Sequence, residues 1–156
     1  MRILYLFVVM VMISSCGYQL RGSMNVDGLE NVMIISNGHT SISRMLSQKL
    51  SASVISQNQA YDTYPVVKIN SISSQKRQLS VNSSGRVDEY EIIKSLDYEI
   101  VISENDSVKG TLKASGSYDF NESRMQATSE QELITNTTID KVLTRKLIQK
   151  LRYNLK

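Results

Sequence analysis

The sequence predicts an α+β fold: a four-stranded mixed sheet, in chain order β-α-β-β-β-α, with two helices packed on one face. Three observations lead there. Residues 40–55, and the chain from about Ser129 onward, repeat apolar side chains at spacings of three and four, the mark of a helix with one buried face. The stretches from Tyr90 to Ile102 and from Val108 to Phe120 alternate apolar and polar residues, the mark of strands with one wet face. Because that alternation is one-sided, the helices must share a single face of the sheet.

The first strand is the apolar run Val32-Met33-Ile34-Ile35, short and continuous enough to be buried on both sides, and Asn37-Gly38 breaks it. In residues 40–55, Ile42, Met45, Leu46, Leu50 and Val54 fall on one helical face, and Thr40, Ser41 or Ser43 can cap the start. A polar loop, 56–64, ends at Pro65. Residues 66–81 are rich in β-branched side chains and carry no helical stripe. They read as a long strand in which Val67 and Ile69 alternate, as do Leu79 and Val81, around a solvated or partner-facing midsection at 73–78.

Asn82-Ser83-Ser84-Gly85 is a hairpin turn. Beyond it Tyr90, Ile92, Leu96, Tyr98, Ile100 and Ile102 hold the even positions, with Lys94 interrupting this apolar face and Ile93 and Val101 interrupting the polar one. Glu104-Asn105-Asp106 turns the chain again. Val108, Leu112, Ala114, Tyr118 and Phe120 then alternate with polar residues in the clearest strand of the chain. The last helix opens on Thr128-Ser129-Glu130-Gln131-Glu132, a capping box with carboxylates suited to the helix dipole. Ile139, Val142, Leu143, Leu147, Leu151 and Leu155 form its stripe, with Ile148 beside it. Lys141, Arg145, Lys146, Lys150, Arg152 and Lys156 line the remainder, either as a solvated face or as contact for a phosphate-rich or acidic partner. The first strand–helix–strand step favours a right-handed parallel crossover, and the later strands form an antiparallel meander.

Composition narrows the function. The chain has 156 residues, 41% hydrophobic and 21% charged, which suits one folded domain, here 32–156. Its single cysteine and single histidine exclude an intramolecular disulfide and a zinc site built on several histidines or cysteines, so no cofactor or metal is expected. A net charge of +3 is too small to argue for nucleic acid as a partner. His39 sits beside a glycine in a turn with no oriented partner in view, and no catalytic motif surrounds it, so an enzyme is not expected.

The amino terminus carries the strongest signal. Arg2 precedes eleven apolar residues, 3–13. A membrane-spanning helix needs about 20 residues, whereas this length fits the core of a secretory signal. Ile13-Ser14-Ser15-Cys16 follows, and resembles the bacterial lipobox: a branched aliphatic residue, two small residues, then the cysteine whose thiol takes the diacylglyceryl group. The alternative is an ordinary secretory signal with a cysteine there by chance. The lipobox divides the chain into a signal peptide, 1–15, a lipidated amino terminus and tether, 16–31, and the domain. Each buried methylene contributes about 0.8 kcal/mol, so two or three acyl chains hold a protein to the bilayer. In such lipoproteins Asp after the cysteine commonly signals inner-membrane retention; Gly17 therefore points to the outer membrane, with the domain facing the periplasm.

Two basic groups stand out. One lines the last helix. In the other, Lys76 and Arg77 lie near the hairpin turn and Arg86 just beyond it, so the three are expected to converge on one end of the hairpin. That would suit an anionic ligand bearing phosphates; the alternative is a strand end kept soluble by charge.

The chain resembles the LPS-assembly lipoprotein family (LptE). The residues that carry this are Cys16-Gly17-Tyr18-Gln19-Leu20-Arg21-Gly22 after the lipobox, the strand at 32–36, Gly85-Arg86-Val87-Asp88-Glu89-Tyr90-Glu91-Ile92 after the turn, the strand end Tyr118-Asp119-Phe120, and the acidic-to-basic last helix. The resemblance implies an outer-membrane lipoprotein with two helices against a four-stranded sheet. Such a protein binds lipopolysaccharide, plugs the β-barrel translocon (LptD) that inserts lipopolysaccharide into the outer leaflet, and assists assembly of the barrel. Family members bind lipopolysaccharide through basic residues near the central hairpin tip. Here Ser83 and Ser84 precede the turn glycine, and Lys76, Arg77 and Arg86 are the nearest basic residues. A stand-alone module for another envelope lipid or glycan, and an envelope hydrolase using His39, are the competing expectations.

Overall fold

The structure is a computed structural model that describes residues 29, 32–36, 38, 40–52, 54–56 and 65–155. The signal peptide, Cys16, nearly all of the tether and His39 lie outside the described residues, as does most of the 56–64 loop.

Among the described residues five strands form one sheet: β1 (Met33–Ser36), β2 (Val54–Ser56), β3 (Val66–Val81), β4 (Val87–Ser103) and β5 (Asp106–Asp119), in the order β2-β1-β3-β4-β5. β1 runs parallel to both β2 and β3, and β3, β4 and β5 form the antiparallel meander. Two helices, α1 (Ser41–Leu50) and α2 (Met125–Asn154), pack on one face. The predicted architecture therefore holds, with one strand more than the four expected.

The extra strand comes from the end of the first predicted helix. Thr40 caps α1 by accepting from the Ser43 N–H at 3.1 Å, and Ile42, Leu46 and Leu50 are buried as the stripe requires. The helix stops at Leu50, not at residue 55, because Ser51 turns left-handed with φ 51° and the Ala52 N–H closes back on the Ser47 carbonyl at 3.1 Å. Val54 and Ile55, both β-branched, then pair with Ile34 and Ile35 across the edge of the sheet.

The last helix likewise begins earlier than expected. A 3-10 turn, Glu122–Arg124, leads into Met125, and the Asn121 side chain accepts from the Ser123 N–H at 2.9 Å. Thr128 is no cap. It is buried in the first turns and its hydroxyl bonds back to Asn121, accepting from the N–H at 3.2 Å and donating to the carbonyl at 3.3 Å.

The main core lies between the helices and the sheet. Ile34, Val67, Ile69, Ile92, Leu96 and Ile100 meet Ile42 and Leu46 of α1 and Ile139, Leu143, Leu147 and Leu151 of α2. Register shifts in β3 leave Asn70 and Leu79 without cross-strand partners. The second one turns the strand end outward, so Leu79 and Val81 are exposed and do not extend the core. On the opposite face Ile35, Val66 and Val101 form a small second cluster with Met33 and Ile55, which accounts for Val101 among polar neighbours.

Lys94, the other interruption, is answered by α2. Its Nζ lies 2.7 Å from Asp140 Oδ1, and the Ser41 hydroxyl donates to the second carboxylate oxygen, so one near-buried ion pair ties β4, α2 and α1 together.

Candidate functional site

The end of the sheet away from α1 is the β3–β4 hairpin, flanked by the start of α2. Asn82 builds its turn. The side-chain oxygen accepts from the N–H groups of Ser84 and Arg86 at 3.0 and 3.1 Å, and the Gly85 N–H donates to the Asn82 carbonyl at 2.9 Å. Gly85 has φ +74°, a conformation that an L side chain resists.

The three predicted basic residues do not converge. Strand alternation separates two of them: Lys76 stands opposite Ile92 on the helix-covered face, and Arg77 stands opposite Glu91 on the open face. Arg86 lies beyond both, at the turn. Each meets a carboxylate. Lys76 Nζ is 2.7 Å from Glu132 on α2, Arg77 Nε is 2.6 Å from Glu91, and Arg86 reaches Glu122 at 3.2 Å.

Lys76 sits in an aromatic setting that sequence reasoning missed. Its Nζ lies 4.5 Å from the centre of the Tyr90 ring and 5.2 Å from that of Tyr118, within the range of cation–π attraction. Phe120 meets Tyr90 edge-on at 5.1 Å. The Tyr118 hydroxyl donates to the same Glu132 oxygen at 2.6 Å. Burial works against the Lys76 charge, but the hydrogen bonds and charge of Glu132 and Tyr118 outweigh it and raise the ammonium pKa. Lys76 and Tyr118 in turn hold the Glu132 carboxyl below its usual value, while burial and Glu132 raise the Tyr118 phenol. Alternation had placed Tyr90 and Tyr118 on the buried face; nothing local marked Glu132, 56 residues beyond Lys76, as the partner.

The open face carries a second set of pairs. Glu91 is lowered by hydrogen bonds from Arg77 and Ser115, and Asp97 by those from Ser71 and Thr111. Glu99 lies between Lys68 at 4.0 Å and Lys109 at 3.6 Å. Of the three candidates Arg86 is the most accessible, with its side chain 70% exposed. It borders a cleft lined by Asn82, Val87, Asp88, Phe120, Asn121 and Ser123. Among the described residues no cluster of three His, Cys, Asp or Glu side chains could hold a metal ion.

No family model and no curated protein matches the chain in sequence. Solved structures do match in fold. The rare lipoprotein B from Shewanella oneidensis superposes with a TM-score of 0.66 at 17% identity, covering 80% of this chain and 96% of that one. An uncharacterized lipoprotein B from Nitrosomonas europaea gives 0.67 at 21% identity, over 86% and 90% of the two chains. A minor lipoprotein from Acinetobacter baumannii gives 0.59 at 14% identity, over 80% and 92%. At these identities the shared property is the fold, a sheet covered on one face by two helices.

Proposed function

We propose that this chain is an outer-membrane lipoprotein, anchored through acylated Cys16, that binds lipopolysaccharide and acts as plug and assembly partner of the β-barrel LPS translocon (LptD). The carrying observation is a concurrence. Residues 13–16 resemble a lipobox ending at Cys16, and the body behind them shares the fold of three lipoproteins over at least 80% of this chain. The role is binding and assembly, with no catalytic step.

The geometry supports this reading in two ways. A barrel lumen is polar, and the open sheet face, with its paired Glu91, Asp97 and Glu99, suits such surroundings. At the hairpin end, Arg86 can offer its guanidinium to a phosphate through charge-assisted hydrogen bonds. All three would have to exchange a carboxylate for the ligand, and Arg86, whose pair with Glu122 is the longest and most exposed, would do so most readily. Arg86→Ala is therefore expected to weaken binding to immobilised lipopolysaccharide by roughly tenfold, and Lys76→Gln by less.

The decisive experiment is a detergent extraction of the mature protein, with mass spectrometry of its amino-terminal peptide and of whatever co-purifies. A diacylglyceryl Cys16 and a stoichiometric outer-membrane barrel are expected. A bare thiol on residue 16, or recovery as a free monomer with a normally assembled barrel in its absence, would overturn the proposal.

A further inference from the structure

The last four turns of α2 carry a charge distribution unlike the rest of the molecule. From Lys141 to Asn154 the helix has no Asp or Glu, and α1 has none at all. Lys141, Arg145 and Arg152 are spaced by four and seven, so they stand in one stripe, all exposed. Arg44 is exposed on α1, which packs beside this half of α2. On the sheet the pattern differs: Lys76, Arg77, Arg86, Lys94 and Lys109 each meet a carboxylate within 4.0 Å. Among the described residues no ion pair reaches the three cations of the stripe or Arg44. Tyr153, 81% exposed, closes the same helix end with a ring that has one apolar and one polar aspect.

The position of the stripe in the fold selects its partner. α2 descends from the hairpin end, where Glu122 meets Arg86, past Lys76 and Lys94, to Lys146, which donates to the Lys113 carbonyl at 2.7 Å. Its basic turns thus lie at the end of the sheet where the chain enters β1. Only residues 17–31 join Cys16 to Val32, a span of at most roughly 50 Å when fully extended. An acylated Cys16 would therefore tether the body to the bilayer by this end of the sheet.

We propose that Lys141, Arg145 and Arg152 of α2, with Arg44 of α1, dock the body onto the anionic phosphate headgroups of the membrane that holds its lipid anchor. The inference rests on the acylated-Cys16 reading but not on the translocon. Cations near an anionic surface each contribute about 1 kcal/mol, and the attraction is screened within a Debye length. Docking would hold the anchored end of the body at the bilayer and leave the hairpin end free for its ligand.

The test uses the mature, membrane-extracted protein in vesicles. A single cysteine introduced at exposed Gln149 (Q149C) carries a dye, which headgroup-quencher lipids report on when the helix layer is docked. Intact mass of the same preparation reads acylation separately, so loss of the anchor and loss of docking are distinguishable. In equimolar phosphatidylglycerol and phosphatidylcholine, strong quenching that is reversed by 0.5 M salt, on the order of ten times the ionic strength of a low-salt buffer, is expected. Replacing the three α2 cations (K141Q, R145Q, R152Q) should lower the docked-to-undocked ratio about a hundredfold, and the charge-keeping set K141R, R145K, R152K should retain it. Equal quenching in pure phosphatidylcholine, as an acidic protein partner for the stripe would leave, overturns the proposal. Quenching unaffected by the neutral variants overturns it as well.

Discussion

Replacing Asp140 by Ala removes the carboxylate that meets Lys94, and the structure sets the cost. The Lys94 and Asp140 side chains are only 12% and 8% exposed, so water cannot replace the lost partner. The stranded ammonium keeps only the Asn136 carbonyl, at 3.5 Å. Ser41 loses its acceptor as well, which loosens the start of α1. Breaking a buried pair from one side costs about 3–5 kcal/mol, and the slight exposure of Lys94 favours the lower figure. With a slope of about 1.5 kcal/mol per molar urea for a body of this size, the unfolding midpoint should fall by about 2 M. The paired replacement K94M with D140L removes both charges and fills the site with apolar atoms, so it should recover most of the loss. Urea unfolding followed by circular dichroism measures all three proteins. A fall of less than about 0.5 M for D140A, or a double variant no better than the single one, would refute the view that the pair is buried and mutually dependent.

Two further outcomes test the local geometry. Because Lys76 and Tyr118 depress the Glu132 pKa in the folded state, the stability contributed by this group is present above its unfolded value near 4.5 and is lost as pH falls through the lower folded value. Glu132→Gln should flatten that acid-side decline in a pH series of urea midpoints, by under about 1 kcal/mol because the side chain is 36% exposed. Ser51→Gly and Gly85→Ala should move thermal stability in opposite directions by about 1 kcal/mol each, since both positions have positive φ and only one now holds glycine. Equal signs would mean that the α1 terminus or the hairpin turn is built otherwise.

Much of the architecture was legible because it depends on short-range periodicity. Alternation placed Tyr90, Ile92, Leu96, Tyr98 and Ile100 on one side of β4, and the spacing of Ile139, Leu143, Leu147 and Leu151 placed them on one side of α2; the sheet and helix layers follow from those two periods. Errors arose where local signals compete. Val54 continues a helical spacing and also has the β-branched shape that a parallel edge strand accepts, and only the presence of β1 beside it decides between them. Thr128 matches a capping box before Ser129, yet the helix starts four residues earlier, at Met125, because Asn121 and its 3-10 turn supply the start.

The order of residues by itself determined the α+β class and which side of each long strand is apolar, and it carries the resemblance to a lipobox ending at the single cysteine, since each of these is a matter of neighbours within a few positions. Only the tertiary structure decided which cations stand alone. Lys76 and Lys94 are answered by Glu132 and Asp140, carboxylates 56 and 46 residues further along the chain, once α2 has folded over the sheet. Arg77 is turned to the other face by strand alternation and answered by Glu91. Electrostatic partnership acts through space, so no pattern along the chain could reveal it before the layers had met.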